Sequence, residues 1–271
     1  MSYLETKAGE IRGMILDQVI AFGNGHIASA FSVVEILLTL YHRVLQVDAV
    51  NPDWPDRDRL ILSKGHGVSA LYAILADLGF FPKEWLTAPQ DGNSLGGHAD
   101  YNVPGIDWST GSLGHGLSVA AGIALTAKMD KKDYRVFCVL GDGELQEGSV
   151  WEAVMFAAHH GLSNLIVIVD CNQHQSCGPT DSVVRLPQIR EKFSDFGWYS
   201  LNTQGHNLQH LNDSLTNLLD RNNRYSVPGA LIAHTKKGKG VSFIETGDKW
   251  HTQIPNETEM VEAKKELGLI L

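Results

Sequence analysis

The sequence predicts an α/β fold, a parallel sheet with helices on both faces. Two observations carry that prediction. Short apolar runs, RLILS (59–63), RVFCVL (135–140), NLIVIVD (164–170) and GALIAHT (229–235), alternate with longer stretches of helical apolar spacing, the signature of βαβ units. Polar or glycine-bearing loops then follow the carboxyl ends of these runs, after Ser63, Leu140, Asp170 and Thr235. Open parallel sheets bind ligands beyond the carboxyl ends of their strands, so chemistry is expected there.

Taken in order, residues 5–22 and 32–45 carry helical spacing, with Gly23-Asn24-Gly25 as the break between them. Strand 59–63 runs into Lys64-Gly65-His66-Gly67 and then the apolar helix VSALYAILADLGF. Residues 88–112 are rich in Gly, Pro, Asp, Asn and Ser and read as a long functional loop. LGHGLSVAAGIALTAKM follows as a helix with small residues on one face, fit for close packing. Strand 135–140 leads through GDGELQEG to helix 149–161, then strand 164–170 and the polar loop CNQHQSCGPTD. A helix over 186–196, a strand over 198–203, a helix over 207–221 and strand 229–235 complete the pattern, before a glycine- and lysine-rich loop and a helical tail. Residues 1–271 show no internal repeat or linker and read as a single domain.

Composition narrows the function classes. Twenty-two Lys and Arg against 31 Asp and Glu give a formal charge of −9, without the broad basic face that nucleic-acid binding needs. No apolar run approaches the roughly 20 residues that span a bilayer, so no membrane partner is expected. MSYLETKAGEIRG lacks the basic-then-apolar layout of a secretion signal. The three cysteines are odd in number. Cys138 sits inside an apolar strand as a small hydrophobe, and Cys171 and Cys177 lack zinc-ligand spacing. A cytoplasmic location is expected.

Histidine and the acidic turn carry the chemistry. Of 12 histidines, His26, His66, His98, His115 and His206 each follow a glycine. Glycine permits close backbone approach, and imidazole supplies a donor, an acceptor or a proton near neutral pH; several such loops suggest one shared pocket. Gly141-Asp142-Gly143 ends one strand, and Asp170-Cys171-Asn172 ends the next. If these strands are neighbours, Asp142 and Asn172 approach one cation from two sides with oxygen ligands that suit magnesium or calcium. A cation bridging carboxylate and phosphate would offset the repulsion from Glu144 and Glu147, so a metal–diphosphate ligand fits better than phosphate alone. A Gly-Asp-Gly turn by itself is also a common loop.

Four linked stretches, SKGHG (63–67), TGSLGHGLSVAAGIAL (110–125), GDGELQEGSVWEA (141–153) and VDCNQHQSCG (169–178), resemble the corresponding segments of transketolases in order and spacing across residues 5–253. The resemblance implies a thiamine diphosphate-binding fold and two cofactors, thiamine diphosphate and Mg2+ (or Ca2+ or Mn2+). It implies metal ligation by Asp142, Asn172 and the backbone carbonyl of His174. It implies cofactor contacts from His66, Leu113, Gly114, Gly141, Asp142, Gly143, Glu144, Asn172 and His251. It implies catalytic roles for His26, His98 and His251, with His26 the better choice for proton transfer. Glu147 faces a subunit interface or the cofactor, or is simply a carboxylate at a helix N-terminus. Lys236, Lys237 and Lys239 form either a basic loop over the diphosphate or a solvated charge run, and Trp250 shields the site or packs.

The chain resembles only the first of three transketolase domains, so the resemblance implies the N-terminal subunit of a split enzyme. That enzyme would move a two-carbon ketol unit from a ketose phosphate to an aldose. The expected partner is a C-terminal subunit carrying the pyrimidine-binding domain and the activating glutamate, in an α2β2 heterotetramer. Rival readings are another thiamine diphosphate enzyme, such as a 2-oxo acid dehydrogenase subunit or a deoxyxylulose phosphate synthase, and a non-catalytic binding subunit. Ser112, His115, Ala99-Asp100 and Ile27 depart from the common family pattern around the expected sugar channel, leaving the sugar open. His42, His159, His160, His206, His210 and His234 receive no family role.

Overall fold

Each central strand divides its side chains between two cores. The computed structural model describes residues 2–88, 95–246 and 248–270. Its strands are β1 (Arg59–Leu62), β2 (Val136–Gly141), β3 (Leu165–Cys171), the two-residue β4 (His174–Gln175) and β5 (Gly178–Pro179), β6 (Tyr199–Gln204) and β7 (Gly229–His234). Five of them form one parallel sheet in the order β1-β2-β3-β7-β6, and β4 and β5 pair as a separate antiparallel hairpin. Leu60, Leu62, Phe137, Val139, Ile166, Ile168 and Leu231 enter one core; Ile61, Cys138, Leu140, Val167, Val169 and Ile232 enter the other. Burial on both faces explains why these strands read as continuous apolar runs.

The helices are α1 (Ser2–Phe22), α2 (Ile27–Ser32), α3 (Val34–Thr39), α4 (Val68–Leu78), α5 (Gly116–Met129), α6 (Gly148–His159), α7 (Thr180–Val183), α8 (Ile189–Asp195), α9 (Leu208–Tyr225), α10 (Ser242–Glu245) and α11 (Glu257–Glu266). α1 to α4 and α9 supply the first core; α5, α6 and α8 supply the second. Ala120, Ala121 and Ala124 are the small buried residues that seat α5 on the sheet. α4 stops at Gly79, whose φ of 87° is the left-handed conformation that glycine adopts without strain. α9 is capped by Asn207, which accepts from the His210 amide at 3.0 Å, and buries Leu208, Leu211, Leu215 and Leu218 along one stripe.

Three expectations need correction. The helix expected over 32–45 begins only at Val34, as α3, and ends in a π-helical turn, Leu40–Val44, while α2 ends at Ser32, where the expected range starts. The helix expected over 186–196 spans only Ile189–Asp195, because Gln188 takes a left-handed φ of 55°. The loop after Asp170 contains the β4–β5 hairpin and α7, elements too short to leave a periodic signal. Of the loop expected over 88–112, residues 89–94 lie outside the described residues. Cys138 is fully buried, and burial pushes its thiol well up, which fits a packing role. Trp250 is 1 % exposed and packs on Phe243, ring centroids 5.1 Å apart.

Candidate cofactor site

β2 and β3 are hydrogen-bonded neighbours, with Gly141 in register with Asp170. Their carboxyl ends therefore deliver Asp142 and Asn172 side by side. The Asp142 carboxylate accepts from the amides of Gly143 at 2.9 Å and Gln173 at 2.7 Å, which fixes its direction. Burial and the neighbouring charge of Asp170 push its carboxyl up to about 6. Asn172 donates through Nδ2 to Ser32 Oγ at 3.3 Å and toward Asp170 at 3.5 Å, and its Oδ1 accepts from the His174 amide at 3.1 Å. His174 follows in β4, and both Asp142 and His174 line a cavity of about 460 Å³ with Gln173 and Thr180.

Beneath this pair lies a buried ionic knot. Lys64, just past β1, is 1 % exposed and forms an ion pair with fully buried Asp170. Lys64 also donates to Ser29 O at 3.1 Å, while Ser32 and Thr235 donate to Asp170. The knot ties β1, β3, α2 and the end of β7 together under Asn172.

Four loops then bring four imidazoles together. His26 precedes α2, His66 lies in the turn after β1, His98 comes from the long polar loop and His251 from the 3-10 turn Asp248–His251. The His26 ring centroid lies 5.7 Å from His66, 5.9 Å from His98 and 5.0 Å from His251. His66 and His251 are 5.8 Å apart. Burial first, then the charge of Lys64, holds His66 down at about 2. Burial and the charge of Lys237 hold His251 at about 4. Burial, His98 and Lys237 lower His26. These three rings are neutral at pH 7, each with one N–H and one lone pair to offer. Nδ1 of His26 and of His251 is buried with no hydrogen-bond partner among the described residues.

Glu144 is 2 % exposed and accepts from Ser63 Oγ, the Gly114 amide at 2.9 Å and the Gly141 amide at 3.1 Å. It stitches the ends of β1 and β2 to the start of α5. Gly114 has a φ of 85°, and an added Cβ would meet Glu147 at 2.7 Å, so this turn admits only glycine at low cost. Leu113, Ser112 and His115 are exposed on the same turn, and Glu147 is exposed at the N-terminus of α6. Lys237 is the residue that the sequence left undecided. It is 7 % exposed, and its Nζ donates to Gln175 O at 3.0 Å, whereas Lys236 is exposed. The basic loop thus turns one lysine toward the histidines and another outward.

The chain matches a known family. Residues 5–270 match the model for the transketolase thiamine diphosphate binding domain. The chain belongs to the transketolase thiamine diphosphate-binding family. It is 38 % identical to one of the subunits of the apulose-4-phosphate transketolase of Phocaeicola vulgatus, over 98 % of this chain and 94 % of that protein. It is 41 % identical to a 6-deoxy-6-sulfo-D-fructose transketolase subunit of Clostridium sp., over 89 % of this chain and 88 % of the relative. The transketolase of Campylobacter jejuni superposes with a TM-score of 0.90 at 30 % identity, covering 99 % of this chain but 43 % of that one. This transketolase-family chain therefore spans less than half the length of that solved transketolase and nearly all of the subunit relatives.

The residues present fit the family's cofactor. Two buried imidazole nitrogens lack a partner among the described residues, close enough to Lys237 to feel its charge, an arrangement that suits an anionic, acceptor-rich group. Among the described residues no three His, Cys, Asp or Glu side chains are grouped to hold a metal. A cation here would rest on one carboxylate, an amide oxygen, a backbone carbonyl and ligand oxygens, the donor set of a hard divalent ion. Of the histidines without a family role, His210 and His234 are exposed, and His160 packs against Phe156 at 4.4 Å. His206 differs from these, because both of its ring nitrogens are hydrogen-bonded inside the protein.

Proposed function

We propose that this chain is the cofactor-anchoring subunit of a two-chain transketolase, transferring a two-carbon ketol unit from a ketose phosphate to an aldose. The observation that carries this reading is the cluster of His26, His66, His98 and His251, drawn from four separate loops to ring separations of 5.0–5.9 Å, together with Asp142 and Asn172 at the ends of neighbouring strands. The relatives named above are transketolases or their subunits, which favours ketol transfer over pyruvate chemistry.

Asp142, Asn172 and the His174 carbonyl would hold Mg2+, and Gly143, His66, His251 and Lys237 would face the diphosphate. The bound thiamine diphosphate supplies the carbanion chemistry. His26 has three imidazole neighbours and a lowered proton affinity, so it would accept and return a proton at the reacting sugar, with His98 orienting the donor's hydroxyls. Leu113 and Gly114 would border the cofactor. Glu144 would support it indirectly, through the loops it binds.

The partner subunit would complete the site with a pyrimidine-binding domain, in an α2β2 assembly. The test is reconstitution. The purified chain with Mg2+ and thiamine diphosphate should turn over no ketose phosphate, and addition of the C-terminal subunit should start ketol transfer. Apulose 4-phosphate and 6-deoxy-6-sulfo-D-fructose belong in the donor panel beside ordinary ketose phosphates, given the names of the relatives. Turnover by the chain alone, or pyruvate-dependent product with the partner, would overturn the reading.

A further inference from the structure

The loop that carries Lys237 is braced from below by a buried charged bracket. Glu35, on α3, is 6 % exposed and forms a two-point ion pair with Arg12 of α1, at 2.8 and 2.9 Å. Its Oε2 also meets His206 Nδ1 at 2.8 Å. Burial works to raise the Glu35 carboxyl, but the charge of Arg12 and the hydrogen bonds from His206 and Arg12 outweigh it and hold it at about 2. The bracket's anion is therefore permanent at neutral pH.

The other side of the imidazole faces the loop. The Lys236 amide donates to His206 Nε2 at 2.7 Å. An imidazole that accepts at Nε2 carries its proton at Nδ1, so the same ring donates to Glu35. Both nitrogens are committed, and the ring's direction is fixed at each end. Gly205 makes the approach possible: its amide donates to His234 O at 2.8 Å, and an added Cβ would meet Thr235 at 2.4 Å. The Gly-His pair at this position thus serves to press His206 against the chain just beyond β7.

Arg12 braces the loop's other end. Gly240, with a φ of 101°, lies so close that an added Cβ would stand 3.2 Å from Arg12 Cδ. Between these two braces, the Gly238 amide donates to Ala28 O at 2.9 Å, two residues past His26. Lys237 lies inside this span, and its charge acts on both His26 and His251.

We propose that His206, anchored by Glu35 and Arg12, is a positioning residue that holds the Lys236–Gly240 loop so that Lys237 faces the diphosphate of the cofactor. This inference rests on the reading of the histidine cluster as a diphosphate site. His206 touches no ligand; it acts through the Lys236 amide. Its two ring nitrogens join the site to the core, one on each side.

Two isosteric substitutions separate the halves of the bracket. His206→Asn keeps a donor where Nδ1 meets Glu35 and removes the acceptor for Lys236. His206→Gln keeps an acceptor where Nε2 meets Lys236 and removes the donor. On the full chain without ligand, hydrogen exchange across residues 236–240 should quicken at least about tenfold in His206→Asn and stay near wild type in His206→Gln, since protection follows the local hydrogen bond. Calorimetric titration with magnesium pyrophosphate should follow the same order, with affinity falling about tenfold in Asn and rescued in Gln. A general structural role would instead lower the melting temperature of both and leave the pair indistinguishable. Equal loop exchange in the two variants, or an unchanged loop in His206→Asn, overturns the inference. If His206→Asn does not fold, His206→Gln decides alone: retained loop protection and affinity support the inference, and their loss overturns it. Lys237→Ala tests the reading beneath it, because unchanged pyrophosphate affinity there would remove the diphosphate site, while the loop exchange would still decide whether His206 holds the loop.

Discussion

His26 and His251 meet edge to face, ring centroids 5.0 Å apart at 68°, and each keeps a buried Nδ1 that no group of the described residues satisfies. One ring precedes α2 and the other lies near the far end of the chain, so packing has brought two unmatched polar atoms into one space. A buried unsatisfied polar group costs about 1–3 kcal/mol, and folded proteins keep such groups where a ligand or reaction uses them. His26→Leu fills a similar volume without polar atoms. Urea denaturation of the ligand-free chain should report a gain of about 1 kcal/mol, while ketol transfer with the partner subunit falls by at least about a hundredfold. A loss of stability together with retained transfer would make His26 a packing residue.

The histidine cluster also sets an acid limit on the fold. His66 titrates near 2 and His251 near 4 in the folded chain, against about 6.5 in an unfolded one. Below about pH 6.5 the unfolded chain binds protons that the folded chain refuses. Stability therefore falls as pH drops from about 6.5 toward 4, and continues to fall for His66. At pH 5 this residue alone accounts for at most about 2 kcal/mol, at 1.36 kcal/mol per pH unit. Urea midpoints of wild type and His66→Gln at pH 7.5 and 5.0 check the sign: the variant should lose less on acidification. Equal losses would mean that His66 is not buried in its neutral form.

Lys64 and Asp170 make the knot under Asn172, both almost wholly out of water. Breaking a buried ion pair from one side leaves an uncompensated charge, at a cost of about 3–5 kcal/mol. Lys64→Met should lower stability by that amount in urea denaturation. Lys64→Met with Asp170→Asn should recover most of it, because neither charge is left alone. The double variant should still bind magnesium pyrophosphate weakly, since Asn172 loses the carboxylate toward which its Nδ2 points. A double variant as unstable as the single one would show that hydrogen bonds from Ser32 and Thr235, rather than charge pairing, hold the knot.

The strands were legible because burial on both faces leaves unbroken runs such as Val136–Leu140, and β2 and β3 proved to be neighbours as the Asp142–Asn172 reading required. α2 was not legible, because six residues carry too little of a helical period just after the Gly23-Asn24-Gly25 break. The β4–β5 hairpin was hidden for the same reason, since two-residue strands carry no period. Glycine-linked loops suggested a shared pocket, and His26, His66 and His98 of those loops do converge, while His251 joins them without a preceding glycine. His206 also follows a glycine, but its partners Glu35 and Lys236 come from distant elements, so nothing local to Gly205-His206 announced its place in the bracket. Lys237 was indistinguishable from Lys236 in composition; only the fold turns one inward.

Asp142 sets function against stability within one residue. The residue is 4 % exposed, and burial beside Asp170 pushes its carboxyl up to about 6. A carboxyl whose folded pKa exceeds its unfolded value of about 3.9 opposes folding once it ionises. At pH 7.5 the ionised group therefore costs the ligand-free chain about 1–3 kcal/mol. Asp142→Asn keeps the shape and removes the charge, but it keeps an acceptor for only one of the two amides, since Gly143 and Gln173 donate to different carboxylate oxygens. Urea denaturation without metal should place this variant near wild type, because the relieved charge and the lost amide contact are of similar size. Titration with magnesium and pyrophosphate should place it far below, by about a hundredfold, because Mg2+ prefers an anionic oxygen to an amide. Asp142→Ala loses both amide contacts and should fall further in binding and in stability. Binding that survives both substitutions would remove the metal from this turn, and a metal-free Asp142→Asn less stable than wild type by more than about 3 kcal/mol, beyond the cost of one lost amide contact, would show that the charge is already compensated inside the fold.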